Sequence, residues 1–339
     1  MKAIVLKNIS NIEELRKNLV IEDIDIPKIK QDEVLVKIKY AALNHRDLWI
    51  CKGLYAGIKL PVVLGSDCSG IVQEIGKDVT EINVGDEVVI NPSHNWGEDE
   101  NFQGKDFRIL GLPENGTLQE YISINKKYIY KKPVHLDLTE SSALPLAGLT
   151  AYRAVLKKAM VKENDNVVIS GIGGGVSTFA LLFSKAIGAK IFVTSGTQDK
   201  INKAIGFGAM GGVNYKVNDW EKNLAELTGK KIDVLIDGTA GETVIKIINI
   251  MSPGGRIVNY GVTTGNPKEI DFRKIFWKQL KLMGTTMGSD SDFGEMIGFI
   301  IKHKIRPVID KIFGFEEYAE AFERMIKAEQ LGKIVILIS

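Results

Sequence analysis

Residues 167–177 read VVISGIGGGVS: an apolar strand, then a loop holding Gly171, Gly173, Gly174 and Gly175, then residues that can open a helix. A strand, a glycine turn and a helix start bring backbone N–H groups and the positive end of a helix dipole to one point, where an anion is favoured. In the usual dinucleotide fingerprint G-x-G-x-x-G, the glycines allow the turn, the approach of the pyrophosphate and close helix–strand packing. Here the match is imperfect. Counted from Gly171 and Gly173 the third position is Val176, and counted from Gly173 and Gly175 it is Thr178. A loop one residue longer, Gly171-x-x-Gly174-x-x-Ser177, keeps small residues at all three places. The loop alone reads equally as a flexible turn; its setting in a strand–loop–helix unit favours a nucleotide.

Outward from the loop, strands and helices alternate. Strands are expected at 167–170, 190–194, 232–236 and 256–260, and helices at 176–187, 199–207 and 242–251, with Gly188 and Gly208 as stops. That alternation marks a parallel sheet of βαβ units. Upstream, residues 1 to about 125 read as short strands broken by Gly65, Gly70, Gly76, Gly85, Gly111 and Gly116, which fits a compact β-barrel-like domain. From residue 139 the pattern turns helical, with Thr139 as the expected N-cap and Pro145 as a kink or a break between two helices. Residues 289–339 hold two amphipathic helices and a closing strand, KIVILIS.

The end of the second strand of the α/β region selects the nucleotide. An NAD site normally carries Asp or Glu there, accepting from the ribose 2′-OH. In FVTSGTQDK the place falls at Ser195 or Gly196, and Lys200 follows. With no carboxylate to repel a 2′-phosphate, and with a hydroxyl and an ammonium to bind it, NADP(H) is expected over NAD(H). Asp199, farther along, is expected to cap the next helix.

Composition sets the remaining bounds. At 339 residues the chain is long for a single core, so two domains are expected. The 44 basic and 42 acidic residues are scattered, without the basic stripe that nucleic-acid binders use. MKAIVLKNIS reads as a first strand and not a signal peptide, and no apolar run reaches the roughly 20 residues of a membrane helix. Two cysteines, Cys51 and Cys68, suggest a reducing compartment, hence the cytoplasm.

Several stretches, in order, resemble the medium-chain dehydrogenase/reductases: AALNHRDLWICKGLY (41–55), LGSDCSGIVQEIG (64–76), GDEVV (85–89), ALPLAGLTAYRAV (143–155), the glycine loop, SPGGRIVNYG (252–261) and LGKIVI (331–336). The resemblance covers essentially the whole chain. It implies an α/β protein with a GroES-like β-rich catalytic domain at 1–125, completed by 289–339, and a Rossmann doubly wound parallel sheet at 126–288. The three catalytic zinc ligands of the zinc alcohol dehydrogenases fall at Asn44, Ser66 and Leu146, none of which is Cys or His. The lobe after GDEVV lacks the family's four cysteines, and His94 within it is expected to be a surface-loop residue.

The chain therefore most resembles the zinc-free quinone oxidoreductase branch, or a zinc-type alcohol dehydrogenase relative without its metal. The activity implied is hydride transfer from NADPH to a quinone, enone or related carbonyl compound, where hydrogen-bond donors can stabilise a delocalised charge. Asn44 and Tyr55 are the candidate donors, Trp49 an apolar wall, and Asp47 a supporting residue. For the cofactor, the resemblance adds His45, Thr150 (opening a helix), Gly261, Val262, Met287 and Lys333 to Gly171, Gly173, Gly174, Gly175, Val176, Ser195, Gly196 and Lys200. Lys333 reads equally as a surface lysine before an edge strand. Arg46 stands where the zinc enzymes relay a proton through a hydroxyl. Two rival readings are an alcohol dehydrogenase acting on small alcohols or aldehydes, and an NADPH-binding protein with little turnover. A homodimer is implied through KLMGTTMGS, which matches an edge strand that family dimers pair.

Overall fold

The computed structural model describes residues 1–9 and 14–339, which form two compact units: Met1–Leu149 with Gly288–Ser339, and Thr150–Met287. The first unit is built on a seven-stranded sheet in the order Ile129–Lys131, Glu87–Ile90, Asp67–Ile75, Glu33–Ala42, Lys333–Leu337 and Ile309–Phe313, with Tyr121–Asn125 also paired to Glu33–Ala42. Three shorter strands, Leu19–Asp23, Lys2–Leu6 and Val62–Val63, form a second sheet. Inward residues of both sheets, among them Ile4, Leu6, Ile38, Val62 and Ile90, make one core with Phe322. Each such side chain contributes about 1.5–3 kcal/mol on burial.

One pairing matters most for the site. The last three residues of strand Glu33–Ala42 meet the C-terminal strand antiparallel, Val335 opposite Ala42, and Leu43 N–H donates to Ile334 O at 3.0 Å. The chain end is thereby brought against residues 43 and 44.

The boundary between the units falls after Leu149, not after residue 125. Residues 126–149 stay with the first unit because Ile129–Lys131 pairs antiparallel with Glu87–Ile90. Gly288 also belongs to it. The N-cap of helix Leu138–Ser142 is Asp137, not Thr139: the Asp137 carboxylate accepts from Glu140 N–H at 2.8 Å, and Glu140 accepts from Asp137 N–H at 3.1 Å. This reciprocal box satisfies two helix-start donors, which a hydroxyl two residues later cannot do. The helix ends before Pro145, the first residue of Pro145–Tyr152, so the proline marks a break.

The second unit is a six-stranded, all-parallel sheet in the order Gly211–Asn214, Lys190–Ser195, Asn166–Ile169, Val234–Asp237, Arg256–Asn259, Lys281–Gly284. Its central strands Asn166–Ile169 and Val234–Asp237 are buried on both faces, as parallel strands covered by helices are, so they read as apolar runs. Helix Gly175–Ile187 ends at Gly188 in the left-handed region (φ 88°), where an L side chain would be strained. Strand Gly211–Asn214, helix Trp220–Leu227 and, in the first unit, strand Ile309–Phe313 carry weak signals: the first opens on two glycines, which disfavour strand. No helix among the described residues is long and apolar enough to cross a membrane.

Candidate functional site

Because the six strands run parallel, their carboxyl ends share one edge, and the loops that follow them gather there. Helix Gly175–Ile187 starts directly on the glycine loop with Gly174 as its N-cap, so the first-turn N–H groups of Gly175, Val176 and Ser177 have no carbonyl inside the helix to bond. Gly171 has φ +61°, and a Cβ there would stand 2.5 Å from Thr239 Cγ2, so only glycine fits. Ser177, 1% exposed, donates to Gly174 O at 2.9 Å and accepts from Gly173 N–H at 3.3 Å. A small residue at 177 is thus part of the loop's own bonding, as the longer-loop reading requires. The result is a cradle of backbone donors that fits a pyrophosphate.

Asp237, missed in the sequence, ties three of these loops together. Its buried carboxylate accepts from Ser170 Oγ, from Thr239 N–H (3.1 Å) and Oγ1 (2.8 Å), from Ala240 N–H (3.0 Å) and from Asn259 Nδ2 (2.8 Å). Asn259 also donates to Gly261 O at 2.8 Å. The available signal was an acid closing an apolar strand, VLIDGTAG. Gly261 follows the end of the next strand, Arg256–Asn259, and the Val262 side chain is exposed.

At the end of Lys190–Ser195, the buried Ser195 Oγ accepts from Thr197 N–H at 3.3 Å. Lys200 lies on helix Gln198–Phe207. That helix is capped at Thr197, so Asp199 is not its cap; it sits in the first turn, exposed, in an ion pair with Lys203 at 2.8 Å. An acid there still complements the helix dipole. Two neighbours went unnoticed in the sequence: a Cβ on Gly196 would stand 2.8 Å from Tyr215 Oη and 3.0 Å from Lys216 Cε. They arrive because Asn214 pairs beside Ser195. Thr150 lies late in helix Pro145–Tyr152 and does not open it, the proline having set the start earlier; its hydroxyl is 3.9 Å from Met287 Sδ, both side chains buried.

In the first unit, Asn44 caps helix His45–Cys51, and its N–H donates to Asp47 at 2.8 Å. Asp47 also accepts from Gly65 N–H at 3.3 Å, and complete burial pushes its carboxyl above the usual range against the opposing charge of Arg46. The Asn44 side chain turns away into a triad: its Nδ2 donates to Asp67 at 2.9 Å, while Lys333 Nζ donates to Asn44 Oδ1 at 2.6 Å and to Asp67 at 2.8 Å. Leu146 N–H donates to the other Asp67 oxygen at 2.7 Å. Lys333 is 2% exposed and so is no surface lysine. Removing one partner of such a buried pair costs about 3–5 kcal/mol.

His45 is half-buried; burial first, then the charges of Lys333 and Lys52, lower its pKa and favour the neutral ring. Arg46 donates to Ser66 Oγ (2.7 Å) and Leu110 O (2.8 Å), with its guanidinium 5.1 Å from the Tyr55 ring centroid. Trp49 is half-buried, with Lys52 Nζ 5.2 Å from its ring centroid. His94, expected at the surface, is 3% exposed: its ring stacks on Tyr128 at 3.9 Å and its Nε2–H donates to Asn91 O at 3.1 Å.

Comparison with known proteins matches residues 30–134 to the alcohol dehydrogenase GroES-like domain and residues 175–302 to the zinc-binding dehydrogenase model. The zinc-type alcohol dehydrogenase-like protein YogA of Leptosphaeria maculans is 36% identical over 91% of each chain. The chain belongs to the medium-chain dehydrogenase/reductase superfamily. A solved structure of an NAD-dependent alcohol dehydrogenase superposes with TM-score 0.94 at 34% identity, covering all of both chains. Human quinone oxidoreductase is 27% identical over 93% of this chain and 92% of its own. The chain is thus an oxidoreductase of a family that uses a nicotinamide cofactor, and the glycine cradle fits that group.

The residues do not fit a catalytic zinc. At the three positions of the family's ligands, the Asn44 carboxamide is held by an ammonium and a carboxylate, and the Ser66 hydroxyl by Arg46 and Leu110. Leu146 presents only a backbone N–H, itself a donor. A tetrahedral zinc takes thiolate, imidazole or carboxylate ligands.

Proposed function

We propose that this member is an NADPH-dependent, zinc-independent reductase of conjugated carbonyl compounds, quinones or enones. The reading rests on position 44, where a fixed hydrogen-bond donor stands in place of a metal ligand. A donor suffices when conjugation spreads the charge that develops, whereas an isolated alkoxide needs a stronger Lewis acid. When bound, the nicotinamide supplies a hydride to the acceptor carbon.

The chain's own residues then divide the work. Asn44 donates to the acceptor oxygen as it gains charge, Tyr55 supplies a second donor, Trp49 an apolar wall, and Asp47 holds the Asn44 backbone. The proton that completes the reduced product comes from water. Gly171, Gly173, Gly174, Gly175 and Val176 bind the pyrophosphate, Thr150, Gly261, Val262 and Met287 line the rest of the nucleotide, and neutral His45 contacts it. Ser195, Gly196 and Lys200, with Tyr215 and Lys216 beside them, hold a 2′-phosphate. NADP is favoured over the NAD named for one solved relative because Asp199, the first acid in sequence after the strand, is exposed and paired with Lys203. The buried thiols of Cys51 and Cys68 suit a reducing cytoplasm. The assembly is a homodimer paired along edge strand Lys281–Gly284.

The test is NADPH oxidation followed by absorbance over a panel of quinones and enones, with protein prepared in chelator. Turnover unaffected by the chelator is expected. Stoichiometric zinc with alcohol oxidation would favour the alcohol dehydrogenase reading, and NADPH binding without turnover the binding-protein reading. Lys200→Glu should raise KM for NADPH about tenfold or more with little effect on NADH, a loss of about 1.4 kcal/mol per tenfold; equal effects would remove Lys200 from the phosphate site.

A further inference from the structure

We propose that Lys333 is a positioning residue: its buried ammonium, paired with Asp67, locks the Asn44 carboxamide so that an N–H, and never the carbonyl, faces the acceptor. The inference rests on the reductase reading above and assigns a role that reading leaves open.

A carboxamide has one accepting end and one donating end of nearly equal shape, so its orientation is set by what lies on either side. Here the accepting end meets Lys333 at 2.6 Å and the donating end meets Asp67 at 2.9 Å. Turned over, the amide would aim its NH₂ at an ammonium and its oxygen at a carboxylate. Both contacts become repulsive, so one orientation survives. The ion pair between Lys333 and Asp67 (2.8 Å; side chains 2% and 0% exposed) fixes the two anchors relative to each other.

Asn44 Nδ2 carries two hydrogens. Asp67 takes one, and nothing among the described residues takes the other. A hydrogen bond accepted at Oδ1 from a cation draws electrons from the amide and strengthens the remaining N–H as a donor. A cation therefore stands next to the residue at the family's first zinc-ligand position, but it belongs to the chain and acts through the amide. On this proposal Lys333 acts on Asn44 in place of the cofactor contact that the resemblance implies, with two of its three donors committed to Asn44 and Asp67. Its placement depends on the C-terminal strand pairing with Glu33–Ala42.

The experiment compares wild type with Lys333→Met, Lys333→Arg and Asp67→Asn. Lys333→Met should lower kcat with 2-cyclohexenone or 1,4-benzoquinone by about 30-fold or more while the Kd for NADPH stays within about twofold. Lys333→Arg, which keeps a cationic donor, should restore kcat to within about fivefold of wild type and also covers the case in which the methionine variant fails to fold. A tenfold rise in NADPH Kd with kcat retained would overturn the proposal in favour of a cofactor contact, as would a folded Lys333→Met enzyme of unchanged kcat.

A second readout needs no turnover. The Asn44 side-chain amide resonances, assigned by their disappearance in Asn44→Asp, should be two well-separated proton signals in wild type and in Lys333→Arg. In Asp67→Asn and Lys333→Met they should collapse towards the values of a free amide. Unchanged signals in both variants would refute the locking role. If wild type reduces none of the acceptors yet the signals collapse, the choice of substrate has failed and the positioning role stands.

Discussion

At the scale of single residues, the sequence showed which side chains are absent better than what the present ones do. That Asn44, Ser66 and Leu146 are not zinc ligands is legible from residue type alone. That a lysine 289 positions later supplies the charge beside Asn44 is not, because the contact depends on strand pairing. His94 shows the same limit: a histidine in a polar loop reads as exposed, but the ring lies against Tyr128. Burial, with the charge of Arg108 as a smaller cause, lowers its pKa from 6.5 to about 4. Above pH 6.5 the ring is neutral in folded and unfolded chains and its titration adds no pH dependence. As pH falls from 6.5 towards 4 the unfolded chain takes the proton first, so stability declines, by about 3 kcal/mol as an upper bound. In His94→Phe this decline is absent. The variant should be less stable than wild type at pH 7.5, by about 1 kcal/mol for the lost bond to Asn91, and the gap should close or reverse by pH 5. Denaturant midpoints across that range measure it; a gap constant with pH would show that His94 does not titrate this way.

At the scale of elements, the periodic segments were legible and their joints were not. The glycine loop and the helices around it follow from local rules, since Gly188 and the Gly171 turn require backbone angles that glycine alone adopts without strain. Strand Gly211–Asn214 escaped because its place depends on pairing with Lys190–Ser195. The joint with the largest consequence is Asp237, which joins its own loop (Thr239, Ala240) to Ser170, 67 positions earlier, and to Asn259 at the end of the next strand. Asp237→Asn keeps the volume but sets an NH₂ group against donors. It should destabilise the protein by about 2–4 kcal/mol, because bonds to a charged acceptor carry about 1.5–3 kcal/mol each and their losses do not add. The glycine loop should loosen with it, weakening NADPH and NADH alike by about tenfold, which titration calorimetry reads at a temperature where the variant is folded. Loss of only one nucleotide would place the effect at the 2′-phosphate and not at the loop.

At the scale of the whole molecule, two domains and an α/β architecture followed from length and alternation, and the return of the C-terminal segment to the first unit came only with the family resemblance. The last strand of the parallel sheet, Lys281–Gly284, pairs among the described residues only with Arg256–Asn259, so its other side presents backbone donors and acceptors that no described strand takes up. Just before it, helix Phe272–Trp277 leaves Phe272, Phe276 and Trp277 exposed at 70%, 66% and 82%, and Leu282 on the strand is exposed at 46%. An open edge beside exposed aromatics is a liability in a monomer unless another chain covers it. In the homodimer proposed above, two copies of this edge pair across a two-fold axis and the apolar side chains pack where aromatics are favoured. Trp277→Lys together with Leu282→Lys places like charges on both copies of that surface. Sedimentation velocity should show a dimer for wild type and a monomer for the double variant at about 10 μM, if the substitutions together remove at least about 3 kcal/mol of association, a factor of more than 100 in Kd. The variant should keep its far-ultraviolet spectrum, since the helix and the strand concerned present Trp277 and Leu282 at the surface and not in the core. A wild-type chain that sediments as a monomer, or a double variant that remains a dimer, would move the interface away from this edge.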